Sequence, residues 1–285
     1  MIKALIRRLN GNPFTRELIM IPIIFVRDMM WASRNRSFIR DGRQGLKQFK
    51  DIHRGKRCFI IGNGPSLSPN DLEKIRGEYS FAANRIYDIY PKTEWGPTYY
   101  GVQDFYVLRE ITKEIEDAED RAEARFIVSN RPEYMCETMK QDPKNHFFYL
   151  GSCLSENRPI KFAADFSKTV GNGWTITYAL IQLAVYMGFS EIYLMGVDHS
   201  YEKFIDEKGN FDVRLHMASH FEGARPYRNL RVNNVPHKRG PLYVSTKAYE
   251  KAEAYSRSHG VQIYNCTRGG CLETFERKCL ENVLQ

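Results

Sequence analysis

From Arg57 onward, short β-rich runs alternate with helical stretches in a repeating order. The runs "RCFIIG" (57–62), "YSFAAN" (79–84), "PTYYGVQ" (97–103), "RFIVSN" (125–130), "HFFYLG" (146–151), "EIYLMGVD" (191–198) and "VQIYNCT" (261–267) read as strands. The last two are apolar without alternation, so both of their faces must be covered. Parallel sheets wrapped by crossover helices provide that cover. The expected fold is therefore α/β, a doubly wound, mostly parallel Rossmann-like sheet. Residues 104–124 read as one charged helix. "WTITYALIQLAVYMGF" (174–189) places Ile176, Leu180, Leu183 and Met187 at helical spacing, which predicts a core-facing stripe. A further helix is expected from Thr246 to His259, ended by Gly260.

Two stretches stand apart from this alternation. Residues 199–245 are polar and rich in histidine and arginine, and a connection of that length is expected to be a lid or binding insertion. Residues 1–52 read as a basic amphipathic helical arm, ahead of a nucleotide-binding transferase domain over 53–285. Within the arm, "LIMIPIIFV" (18–26) is shorter than the ~20 residues that span a bilayer. Arg7, Arg8 and Arg16 precede it, and Arg27, Arg34, Arg36 and Arg40 follow. No signal-peptide cleavage pattern follows either. The arm either packs on the main domain or lies in a membrane interface with its arginines on anionic headgroups.

With 285 residues, 42% of them hydrophobic, the chain can bury one large domain and has no compositional mark of disorder. Its net charge of +8 fits an anionic partner or a solvated basic surface. Six cysteines occur without a C-x-x-C pair or metal-ligand spacing. They are expected as free thiols in a reducing compartment, with the cytoplasm the simplest, including its membrane-facing periphery.

Three constellations carry candidate chemistry. The first is "GNGPSLSPND" (62–71), directly after the first strand. Gly62 and Gly64 permit close backbone approach around Asn63, Pro65 stiffens the turn beside Ser66, and Ser68 with Pro69 and Asp71 reads as a helix cap. The expectation is a loop offering free N–H groups to a phosphate at the sheet's C-terminal edge. The second is "TVGNGWT" (169–175), where Gly171, Asn172 and Gly173 open the strongest helix and offer a second phosphate-suited N-terminus. The third is "GVDHSY" (196–201), which puts Asp198 and His199 at the end of a buried strand. Asp198 is suited to orienting a histidine, holding a ribose hydroxyl or binding a divalent ion. His199, or His216 and His220 of "HMASHF", is suited to general base catalysis or to neutralising a leaving phosphate. Two histidines without a third ligand do not make a zinc site, and no metal ligand is assigned.

"FIIGNGPSL", "AANRIY", "TVGNGWTITYALIQLAVYMGFSEIYLMGVDHSY" and "VQIYNCTRGGCLETFERKCLENVL" together resemble the MptE-like family, over about residues 55–285. That family takes its name from an archaeal 6-hydroxymethylpterin diphosphokinase and includes members in bacterial surface-polysaccharide loci. The same core is similar to bacterial lipooligosaccharide sialyltransferases, which use CMP-activated sialic acid. That resemblance implies that Gly62, Asn63, Gly64 and Ser66 contact the nucleotide phosphate and sugar. It implies further that Asn84 holds the ribose or base and that Gly173 lines the phosphate site. Tyr201 matches a tyrosine that stabilises the departing phosphate, one residue out of register. Where those enzymes place their catalytic histidine, this chain has Tyr243 and Val244. Either His237 or another histidine, with His199 and His220 the better fit to the bacterial MptE-like branch, takes that role, or the chemistry differs.

The leading expectation is a glycosyltransferase that uses a CMP-linked sugar in surface glycan synthesis. Its acceptor would be a glycan or lipid-linked hydroxyl, activated by His199 or His220 beside Asp198. Tyr201 or an arginine of "HFEGARPYRNLR" (220–231) would stabilise the phosphate. No cofactor is obligatory in that reading. The alternative is a diphosphokinase using ATP and Mg²⁺, with Asp104 and Asp198 as the well-placed carboxylates. A non-enzymatic RNA-binding role would rest on "ARPYRNLRVNNVPHKR" (224–239) alone, and no nucleic acid is expected.

Overall fold

The computed structural model describes residues 18–19, 21–117, 119–152, 159–200, 220–224 and 240–285. Two helices, α1 (Ile21–Arg34) and α2 (Arg36–Leu46), precede the sheet. There follow β1 (Arg57–Ile61), α3 (Pro69–Lys74), β2 (Ser80–Ala83), β3 (Tyr99–Val102), α4 (Phe105–Asp117), β4 (Ala124–Val128), α5 (Glu137–Gln141) and β5 (Asn145–Phe148). The chain continues through α6 (Ile176–Tyr186), β6 (Glu191–Met195), α7 (Gly240–Ser258), β7 (Gln262–Asn265), β8 (Glu276–Arg277) and α8 (Leu280–Val283).

The strands form one sheet in the order β5-β4-β3-β2-β1-β6-β7-β8, and every pair is parallel. The fold is thus α/β and Rossmann-like, as the continuous apolar strands require. From β1 to β5 the chain winds outward on one side, and β6 then returns to the other side of β1. This reversal leaves a crevice between the C-terminal ends of β1 and β6, the place where such sheets bind ligands.

Packing explains three departures from the sequence reading. Helix α6 is buried all round, not along one stripe: Thr177 through Ala184 are inaccessible because the helix lies between the sheet and α7. Helix α4 ends at Asp117 and does not continue to residue 124. There Arg121 packs its stem on Gly96 and donates to the Thr93 and Trp95 carbonyls, which steers the backbone into β4. Helix α7 begins at Gly240, six residues earlier than expected, with Pro241 in its first turn.

Helix α2 covers the outer strand β5. Ile39, Leu46 and the following Phe49 enter the core, and Phe38 meets Phe147 at 4.9 Å. A Cβ on Gly42 would lie 2.6 Å from the Phe147 carbonyl, so glycine is what lets the helix lie that close. Cys58, Cys136, Cys266, Cys271 and Cys279 are free thiols, and Cys153 lies outside the described residues.

Candidate functional site

A cavity of about 440 Å³ opens at the C-terminal edge of β1, β2, β3 and β6. Gly62, Asn63, Gly64, Asn84, Asp104, Asn172, Asp198, His199 and His220 all line it. The two glycine-containing turns therefore do share one cavity. Their glycines, however, work differently from expectation.

In the first turn the amides are already engaged. Gly62 N donates to the Met195 carbonyl at 2.7 Å and Gly64 N to the Gly196 carbonyl at 2.9 Å. Ser66 N reaches Asp198 Oδ2 at 3.4 Å, beside the stronger Ser66 Oγ bond of 2.8 Å to the same oxygen. A Cβ on Gly62 would fall 2.3 Å from the Gly196 carbonyl, and one on Gly64 would fall 1.8 Å from Asp198 Oδ2. These glycines exist so that the ends of β1 and β6 can touch. The expected row of free phosphate-binding amides is absent from Gly62, Gly64 and Ser66. Pro65 and Ser66 do not line the cavity; Ser66 faces a second one behind the turn. Ser68 does cap α3, accepting from Asp71 N, with Pro69 opening the helix.

The second turn shows the same inversion. Gly171 is pressed against the Lys161 carbonyl and Gln182, and Gly173 against Ala248 and Tyr178. Neither lines the cavity, whereas Asn172, Trp174 and Thr175 do. The turn is held by Gln182, whose Oε1 accepts from Ala163 N and Gly171 N at 2.8 Å each. Its Nε2 donates to the Gly171 and Tyr178 carbonyls at 3.0 Å. Asn172 Oδ1 accepts from Trp174 N and shapes the bend.

What these supports hold in place is a set of carboxamides. Asn63, Asn84 and Gln103 follow the ends of β1, β2 and β3, and all three line the cavity. Asn63 Nδ2 donates to the Ala83 carbonyl, which fixes the amide and turns Oδ1 the other way. Asn63 Oδ1, Asn84 Oδ1 and Gln103 Oε1 are buried without a protein hydrogen-bond partner. Each such oxygen costs about 1–3 kcal/mol in the absence of a donor. Gln103 was missed in the sequence, although its place at a strand end matches that of the two asparagines.

Backbone strain gathers at the same place. Among the described residues, four non-glycines have positive φ: Asp51, Asn84, Trp174 and His199. Three of them line this cavity. Asparagine tolerates the left-handed region, but tryptophan is an outlier there, and such conformations cluster at ligand sites. The strain at Asn84 is held by its neighbours: Tyr100 OH donates to its carbonyl at 2.5 Å, and buried Arg85 pairs with Glu110 and Glu114 of α4.

The charged members have defined roles. Asp198 accepts from Ser66 through Oδ2, and its carbonyl accepts from Cys271 N at 2.7 Å. Gly270, at φ +73°, packs directly on the Asp198 backbone, so the "TRGGC" loop buttresses it from behind. Asp104 caps α4 through Tyr106 N and Val107 N. It opens to solvent at the cavity edge, yet the protein packed around its carboxyl raises its pKa against the pull of those two amides. Among the described residues, no three His, Cys, Asp or Glu side chains gather as metal ligands.

His199 is buried, and burial lowers its pKa to about 4. Its Nε2 lies 2.8 Å from Thr246 Oγ1, whose own proton goes to the Leu242 carbonyl at 2.8 Å. With its proton on the Leu242 carbonyl, Thr246 accepts from Nε2–H and Nδ1 is the basic nitrogen. His220 is half-buried at the rim, and its neighbour Phe221 donates its N–H to the Asn63 carbonyl at 3.0 Å. Tyr201, His216, His237 and most of the 199–245 insertion lie outside the described residues.

Residues 34–204 match the family profile described as 6-hydroxymethylpterin diphosphokinase MptE-like. The chain belongs to the MptE-like family. The match starts in the N-terminal segment and not near residue 55, in keeping with α2 being packed on β5. No curated protein matches the sequence. Among solved structures, the MAf glycosyltransferase from Magnetospirillum magneticum AMB-1 is 14% identical at a TM-score of 0.49, covering 85% of this chain. This chain spans only 39% of that protein. The sialyltransferase CstII from Campylobacter jejuni, in complex with cytidine-5'-monophosphate, is 16% identical at a TM-score of 0.43. That match covers 79% of this chain and 85% of CstII. Both neighbours are transferases.

Proposed function

We propose that this MptE-like protein is a glycosyltransferase that takes its sugar from a CMP-linked donor. The observation that carries this reading is the trio of unpartnered carboxamide oxygens on Asn63, Asn84 and Gln103. A nucleoside supplies the missing donors: ribose hydroxyls and the exocyclic amine of cytosine. No Lys or Arg among the described residues lines the cavity, so countercharge for a donor phosphate would come from the arginines of the 220–231 segment.

In this mechanism a base removes the proton of an acceptor hydroxyl, whose oxygen attacks the anomeric carbon. The bond from that carbon to the CMP phosphate oxygen breaks, and CMP leaves with the electron pair. His220, at the rim and tied to Asn63 through Phe221, is the assigned base. His199, kept neutral by burial, positions the acceptor through Nδ1 while Asp198 holds the turn. Tyr201 or an arginine of the 220–231 segment would stabilise the departing phosphate. The acceptor would be a glycan or lipid-linked hydroxyl met in the cytoplasm.

The family description favours a second reading, diphosphoryl transfer from ATP. Asp104 and Asp198 would have to hold Mg²⁺, each with one oxygen already accepting hydrogen bonds from the protein. A thermal-shift series with CMP, CDP, UDP, GDP and ATP, each with and without Mg²⁺, separates the two. Stabilisation by CMP without metal is expected. Stabilisation by ATP and Mg²⁺ alone would replace the proposal with the second reading, and no response to any nucleotide would end both.

A further inference from the structure

The protein's whole net charge sits in its first fifty residues. Residues 1–50 hold eleven Lys and Arg against three Asp and Glu, an excess equal to the chain's net +8. The remaining 235 residues carry thirty-one of each sign and are neutral overall. A basic surplus needed by the nucleotide cavity would be spread through the domain that builds it. This one is not.

The same segment exposes the molecule's apolar surface. Of the ten large apolar side chains left exposed among the described residues, seven fall between residues 18 and 30. On α1, steps of about 100° per residue put Pro22, Ile23, Phe25, Val26, Met29 and Met30 within one arc about 160° wide. Ile23, Phe25, Val26, Met29 and Met30 are each more than half exposed. Arg27 and Arg34 follow directly at one margin of that arc. The opposite side of the helix is the one that is anchored: Ile21 is buried, Asp28 pairs with Arg131 at 3.4 Å, and the Arg131 guanidinium lies 5.0 Å from the Trp31 ring. The helix is thus fixed with its apolar face outward.

We infer that α1 is a membrane-interface helix, lying flat on an anionic bilayer with Phe25, Val26, Met29 and Met30 among the acyl chains. Its fourteen residues measure about 21 Å, short of the ~30 Å hydrocarbon core. No helix among the described residues is long and apolar enough to cross a membrane. An apolar face bordered by arginines is the pattern of helices that rest on a bilayer surface. Charge decides between a bilayer and a second copy of the chain. Self-association through this face would bring two segments of eight excess positive charges together, whereas an anionic surface attracts every one of them. The anchor also ties α1 to the cleft, because Arg131 lies 5.4 Å from the ring of Phe105, which lines the cavity.

The test is sedimentation of the full-length chain with vesicles of phosphatidylcholine alone, or with about one third phosphatidylglycerol, with size-exclusion light scattering alongside. Binding to the anionic vesicles only is expected, with loss in high salt. The exposed pair Phe25→Glu and Met29→Glu should lower partitioning at least tenfold while leaving thermal stability and nucleotide response intact. The triple variant Arg34→Ala, Arg36→Ala, Arg40→Ala should lower it about fivefold for each arginine removed. Equal binding to neutral vesicles, or binding that neither variant weakens, would overturn the inference. So would a dimer that Phe25→Glu and Met29→Glu disperse without vesicle binding, since the face would then serve a second copy. A monomer that binds no vesicle would overturn it equally.

Discussion

Replacing Gly64 by alanine tests whether the first turn exists to bring β1 and β6 together. The new Cβ would stand 1.8 Å from Asp198 Oδ2 and 2.7 Å from the Gly196 carbonyl. The carboxylate can swing away, but only by more than 1 Å, which breaks its 2.8 Å bond with Ser66 Oγ. The Gly196 carbonyl belongs to the backbone just past β6 and has nowhere to go. Loss of a hydrogen bond to a charged group costs about 1.5–3 kcal/mol, and the backbone clash adds about 1–3 kcal/mol. The sum is a destabilisation of about 2.5–6 kcal/mol, or a fall in Tm on the order of 10 °C for a chain of this size. Ser66→Ala removes the hydrogen bond alone and should cost about 2 kcal/mol. The double variant should then lose about 2 kcal/mol less than the two singles added together, because the shared bond is broken only once. Urea denaturation of the four proteins measures this cycle. A Gly64→Ala protein within about 0.5 kcal/mol of wild type, or strict additivity, would refute the reasoning.

Gln103→Met removes a buried, unpartnered oxygen, so it should raise the stability of the free protein by up to about 1 kcal/mol and weaken CMP binding at least tenfold. Melting curves with and without CMP read both signs, and a drop in stability would make Gln103 a structural residue. Gln182→Met strands the Ala163 and Gly171 amides and the Gly171 carbonyl in the core, and should destabilise by about 3–5 kcal/mol in denaturant titration. His199, lowered from 6.5 to about 4, stabilises the fold fully above pH 6.5 and loses that contribution as pH falls toward 4. The loss amounts to about 3 kcal/mol, and His199→Asn should flatten that part of the stability–pH curve. If His199 were instead the catalytic base, the acid limb of the rate profile would lie near pH 4; a limb at clearly higher pH points to another group.

The sheet was legible because seven of its eight strands are rich in apolar residues, and β1, β2, β3 and β6 are buried on both faces, the cover that helices packed on a parallel sheet provide. The eighth, Glu276–Arg277, has two exposed charged residues and carries no pattern to read. Helix ends were less visible. Nothing in "EDAEDRAEA" opposes a helix; its end depends on Gly96 and Arg121, twenty-five residues apart in sequence and touching only once folded. Asn63, Asn172, Asp198 and His199 were recognisable from turn chemistry and strand ends, Asn84 from the family resemblance, Asp104 as a carboxylate of the alternative reading and His220 from the histidine-rich insertion, and one cavity gathers them. The glycines were recognised for the wrong reason. Their N–H groups looked available until β6 was laid beside β1, and a glycine packed against a carbonyl reads in sequence like one that binds phosphate. Trp174 and Gln182 gave little local signal, since a positive φ and a buried carboxamide are consequences of tertiary packing.

The central claim is that the carboxamides at the ends of β1, β2 and β3 grip a nucleoside. The side-chain NH₂ resonances of Asn63, Asn84 and Gln103 can be followed in a ¹⁵N-labelled sample during titration with CMP. The account predicts that all three move together along a single binding curve, without Mg²⁺. Resonances that stay fixed while CMP binds elsewhere, or that move only for ATP with Mg²⁺, would contradict it.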